Sequence, residues 1–157
     1  MMAFRYDSDP ILTPPTEQAT KFVRADHVFY GVDHSGISFE ARVFIDNPEA
    51  NAETPVEDPS YVGSFHIFGH GGCFGEEGHC DVPRGPQDSF DLRLPHRLLP
   101  HTMTVGITSF LRKRLQQGDS GPITVTVIPV AREMFSGQEG PTEDLLEFER
   151  LALVTYD

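Results

Sequence analysis

A mostly β fold, an antiparallel β-sandwich or barrel-like single domain with one short helix at about residues 103–117, is what this chain of 157 residues predicts. Three observations point there. Apolar and polar residues alternate in ISFEARVFID (37–46) and in ITVTVIPV (123–130), the period of a half-buried strand. Runs rich in β-branched and aromatic residues recur between Gly- and Pro-containing turns, the punctuation of sandwiches. One segment, TMTVGITSFLRKRLQQ (102–117), places Met103, Ile107, Phe110, Leu111 and Leu115 at helical spacing.

Taken in order, residues 1–20 form an extended, Pro- and Thr-rich segment with Pro10, Pro14 and Pro15, followed by a sandwich domain over 21–157. KFVRADHVFY (21–30) and ISFEARVFID, joined by the turn GVDHSG, are expected to pair as a hairpin with one face in a core. NPEANAETPVEDPS (47–60) is acidic and nearly without large apolar residues, hence a solvated loop. A strand begins at Tyr61, and FDLRL (90–94) is short enough to be another within an irregular, proline-punctuated stretch. In the helix, Thr104 or Thr108 is placed to cap, and Arg112, Lys113 and Arg114 sit near the end, where cations favour the helix dipole. LLEFERLALVTYD (145–157) carries helical periodicity as far as Leu151, but ALVTY favours a closing strand.

Composition narrows function by exclusion. Twelve basic against twenty-four acidic residues give a formal charge of -12. Such a surface repels phosphate backbones and anionic headgroups, so neither nucleic acid nor membrane is an expected partner. No basic n-region precedes an apolar run at the N-terminus and no apolar stretch is long enough to span a bilayer, which predicts a soluble, cytoplasmic protein. Two cysteines in so long a chain do not make a disulfide framework.

The chemistry concentrates in YVGSFHIFGHGGCFGEEGHCDVP (61–83), which holds both cysteines and three of the seven histidines, with Gly69, Gly71, Gly72, Gly75 and Gly78 scattered among them. His70, Cys73, His79 and Cys80, with His66 as a fifth donor, form the candidate metal set, because imidazole and thiolate suit copper and zinc. The spacing matches neither a CxxC knuckle nor a zinc ribbon. Cys73 and Cys80 could equally close a small disulfide or stay as thiols while the histidines satisfy backbone groups. Phe74, Glu76 and Glu77 are the partner-binding candidates, since loops on a rigid scaffold are where binding usually sits. Phe65 and Phe68 are an odd number of positions apart, so one regular strand cannot bury both. A catalytic constellation is missing: His79 adjoins Cys80 with no third orienting group, and Glu76 and Glu77 beside glycines suit a solvated turn.

Four pieces in sequence order, FVRADHVFYGVDHSGISFEARVFID, YVGSFHIFGHGG, TMTVGITSFLRKRL and ITVTVIPV, resemble the carboxy-terminal β-sandwich domain of the type-3 copper oxidases, the tyrosinases and polyphenol oxidases. The resemblance spans roughly residues 21–130. In that family oxidation belongs to a separate helical domain with two coppers, each held by three histidines. This sequence has no helical HxxxH pair from which to build one. The resemblance therefore implies a non-catalytic accessory domain or subunit whose partner is a tyrosinase-like copper domain, which it would cover, stabilise or help to load. By analogy with small tyrosinase companion chains, His70, Cys73, His79 and Cys80 would be the points of transient copper contact. The alternatives are a stand-alone copper or zinc protein using residues 66–80, or a small enzyme.

Overall fold

The computed structural model describes residues 5–34, 37–69, 85–86, 88–90, 99–131 and 145–157. Among the described residues seven strands form two antiparallel sheets that face each other, with one α-helix, and the sheets do not close into a barrel. The four-stranded sheet has the order β1 (Tyr6–Asp7), β6 (Val125–Val130), β3 (Phe39–Ile45), β4 (Tyr61–Ile67). The three-stranded sheet has the order β5 (His101–Gly106), β2 (Arg24–Val32), β7 (Arg150–Tyr156).

β2 and β3 do not form the hairpin that their sequence suggests. β2 pairs with β5 and β7, and β3 pairs with β4 and β6, so the link between them carries the chain from one sheet to the other. The crossing is prepared at Gly31, which lies in the left-handed region at φ 68 where the β2–β5 register shifts between Phe29 and Val32. Such a bulge bends the strand and resets which residues face inward. Phe29 and Val32, an odd spacing apart, therefore both reach the same buried cluster.

Alternation elsewhere along the strands sorts residues between two buried clusters. Phe29, Val43, Phe65, Val105 and Val127 meet between the sheets, with the Phe29 and Phe65 rings 5.0 Å apart. Below them Phe22, Ala25, Ile45 and Ile123 receive Leu111 and Leu115 of the helix.

That helix, α1 (Thr108–Gln116), is shorter than the spacing of its apolar residues suggests, because residues 101–106 belong to β5. The β-branched residues Thr102, Thr104 and Val105 fit the ladder, where Thr104 pairs with Val28 and Val105 with His27. Neither threonine caps the helix: Thr104 is in β5, and the Thr108 hydroxyl instead accepts the Ala25 N–H at 2.9 Å, tying the helix start to β2. At the other end the Arg114 guanidinium bonds to Asp46 and, at 3.0 Å, to Asp119. Asp46 also accepts the Thr124 N–H at 2.8 Å, so one carboxylate joins the helix to the exits of β3 and entry of β6.

Residues 5–19 are fastened to the sandwich. Tyr6 and Asp7 pair with Val127 and Thr126, Ile11 bridges to Ile123, and a short 3-10 turn at Thr16–Gln18 leads to buried Ala19. Residues 47–60 are mostly exposed turns, as their acidity suggests. The closing segment is a strand over Arg150–Tyr156, paired residue by residue with β2.

Gly31→Ala tests the crossing. A methyl group there would stand 2.5 Å from the Glu149 Cγ on a backbone already at positive φ. The expected loss is about 1–3 kcal/mol in urea unfolding; an unchanged midpoint would show that the bulge does not need glycine.

Candidate functional site

Strand directions bring several of the connections to one end of the sandwich. The C-terminus of β2 lies beside the N-termini of β5 and β7, through Val32 opposite His101 and Tyr30 opposite Arg150. The N-terminus of β3 lies beside the C-termini of β4 and β6, through Phe39 opposite Ile67 and Glu40 opposite Val130. The short link from β2 to β3 ties these two sets together. The connections β2–β3, β4–β5 and β6–β7 therefore all leave and return at this end, whereas the acidic loop and α1 occupy the other.

β4 delivers the glycine-rich segment to that end. Phe65 and Ile67 are buried, His66 is exposed opposite Glu40, and Phe68 is 81 % exposed. The odd spacing separates the two phenylalanines as the strand period requires. Gly69 donates its N–H to the Ser38 hydroxyl at 3.0 Å, anchoring the start of the connection to β3. His70, Cys73, Phe74, Glu76, Glu77, His79 and Cys80 lie outside the described residues, as does most of the 90–94 segment. Among the described residues no three His, Cys, Asp or Glu side chains come together as a metal site.

Two histidines that the sequence did not single out meet at the same end. His34, buried, and His101, exposed, pack edge to face with centroids 4.1 Å apart, and a ring nitrogen of His34 bonds to the Leu99 carbonyl at 2.8 Å. Their separation of 67 positions hides the contact; it follows only from β2 lying against β5. Leu99 beside them is 73 % exposed, so this end presents large apolar side chains next to imidazoles.

A third histidine is internal. His27 follows Ala25 and precedes Phe29 on the inward face of β2, is fully buried, and has no hydrogen-bond partner at either ring nitrogen. Burial lowers its pKa to about 4, outweighing the nearby Ala152 main chain and the Asp26 charge, which pull the other way. Asp26, on the opposite face and also fully buried, is clamped by Arg24 at 2.9 and 2.7 Å. His27 is thus neutral in the fold, filling core space as an aromatic ring.

At the opposite end an open cleft of about 430 Å³ runs between β4 and the start of α1, lined among others by Tyr61, Val62, Gly106, Thr108, Ser109 and Phe110. Among the described residues the Tyr61 phenol is the one titratable side chain on its wall. Among the described residues no helix is long and apolar enough to cross a membrane.

His27 predicts an acid-labile fold. Its folded pKa of about 4 lies below the ordinary 6.5, so the unfolded chain binds the extra proton. Stability from this group is full above about pH 6.5 and is lost as pH falls towards 4, by about 3 kcal/mol at 1.4 kcal/mol per unit. Urea unfolding across this window should show that slope, and His27→Leu should flatten it; an equal slope in both proteins would assign the acid sensitivity to other groups.

No family model and no curated protein matches the chain. Its fold is similar to that of solved structures of latent aurone synthase, a polyphenol oxidase. The recombinant protein matches with a TM-score of 0.54 at 14% identity over 99% of this chain and 25% of that one. The protein from its natural source matches with a TM-score of 0.51 at 13% identity over 97% and 24%. The chain thus spans about a quarter of the length of the proteins it matches, and the likeness, at this identity, is one of fold: a domain of a polyphenol oxidase and this sandwich share their architecture.

Proposed function

We propose that this chain is the accessory domain or subunit of a tyrosinase-like copper oxidase, contributing cover, stability or assistance in copper loading while the oxidation occurs in a separate helical domain. The observation that carries the reading is the asymmetry of coverage: nearly the whole of this chain corresponds to one quarter of a polyphenol oxidase. The order of sequence pieces resembling the family's carboxy-terminal domain agrees with it. The loop end supplies the contact surface: Leu99 is exposed beside the His34–His101 pair, and Phe68 is exposed just past the end of β4. Large exposed apolar side chains on a rigid scaffold are the usual anchors of an interface. Copper contact, if the domain assists loading, would fall to His70, Cys73, His79 and Cys80, and partner contact to Phe74, Glu76 and Glu77.

The experiment is reconstitution with the helical copper subunit that co-purifies with the chain from its native source. The isolated chain given copper should not oxidise catechol, and the partner should bind it and change its turnover or its copper content. Phe68→Ala should weaken that binding by roughly tenfold or more, the cost of truncating a central aromatic anchor. Catechol turnover by the chain alone, or a co-purifying partner without a dinuclear copper centre, would defeat the reading.

A further inference from the structure

Among the described residues one edge of the sandwich is left unguarded. β7 is bonded to β2 along one side, and among the described residues no strand lies along the other. An open edge exposes a row of main-chain donors and acceptors, which proteins normally blunt with proline, lysine, a bulge or a buried charge. The strand RLALVTY has none of these, and its only charge, Arg150, is at its end. Its register with β2 runs unbroken from Arg24 opposite Tyr156 to Tyr30 opposite Arg150. The outer strands β4 and β5, by contrast, each pair with their neighbour across a register shift, and β1 has two residues.

The same strand is complementary to itself. When two copies are laid antiparallel about Leu153, Arg150 stands opposite Tyr156, Leu151 opposite Thr155, and Ala152 opposite Val154. Arginine over tyrosine is the pairing this sheet already uses twice, with Arg150 4.3 Å from the Tyr30 ring centroid and Arg24 5.5 Å from that of Tyr156. Ala152 and Val154 are half-buried and the new pairs contain no acid; the one acid in the row they extend, Asp26 opposite Val154, is already clamped by Arg24. Glu149 and Asp157 fall just past the paired residues, in solvent, where salt screens them.

We propose that the chain forms a two-fold dimer through β7, joining two three-stranded sheets into one of six strands in the order β5-β2-β7-β7-β2-β5. The contact is isologous, as a two-fold requires, because each residue pair occurs twice. A strand from a different protein would need its own match to this row, whereas a second copy carries it.

Sedimentation of the full chain tests this. The wild-type protein should sediment as a dimer that dissociates on dilution, with added salt favouring association. Ala152→Lys with Val154→Lys sets lysines opposite each other across the seam in both symmetry-related pairs, and should give a monomer with unchanged circular dichroism. Ala152→Glu with Val154→Lys makes the same pairs oppositely charged and should restore the dimer, which a variant merely damaged in folding could not do. A wild-type monomer at every concentration, a double-lysine variant that remains dimeric, or a Glu/Lys variant that fails to associate each overturns the proposal. Exchange-protected outer amides of β7 in a wild-type monomer bound to a heterologous chain would assign the edge to a foreign strand instead, and overturn it as well.

Discussion

The passage from β2 to β3 governs the architecture. Within a few residues the chain must leave a three-stranded sheet and enter a four-stranded one, and the left-handed Gly31 with its bulge supplies the bend. Packing leaves little freedom there: Glu149 already occupies the space that a side chain on residue 31 would need. Because the crossing fixes the end of β2 against the start of β3, it also fixes which connections share an end. The grouping of His34, His101, Phe68 and Leu99 is thus a topological result, reached without any of them being close in sequence.

Strand identity was legible where side chains alternate between core and solvent. Phe39, Ala41 and Val43 are buried between half-buried Glu40 and Arg42, and the sequence says so directly. Partnership was not legible. β2 is buried from Ala25 to Phe29 on both faces, so its sequence has no alternation from which to choose a neighbour, and proximity in the chain suggested a hairpin that the fold rejects. The helix boundary failed for a related reason. Met103 and Ile107 are four apart, as on a helix, yet Met103 packs from a strand and Ile107 from the turn after it. Tertiary pairing of Thr104 with Val28 overrode the local period.

The histidines divide in the same way. His66 was singled out for its neighbours and lies exposed on β4, whereas His27 and His34, with nothing unusual around them in sequence, are the buried ones. A cluster is visible to sequence reasoning only when it is local. The His34–His101 contact depends on the β2–β5 ladder, and the neutral state of His27 depends on its burial between β5 and β7. An imidazole without partners in an apolar interior is an expensive way to fill space, so the strand tolerates at His27 what it compensates at Asp26 with a two-point arginine clamp.

The stitching of the first residues to β6 has its own consequence. Ser8 exchanges bonds with Val125 through both its N–H and its hydroxyl, and the Thr126 hydroxyl donates to Asp7, so a few residues hem the border of the larger sheet. Trimming by a protease ahead of Pro10 would strip that hem and bare the β6 backbone. The same cut that shortens the chain would therefore change its colloidal behaviour, turning a sealed border into an adhesive one.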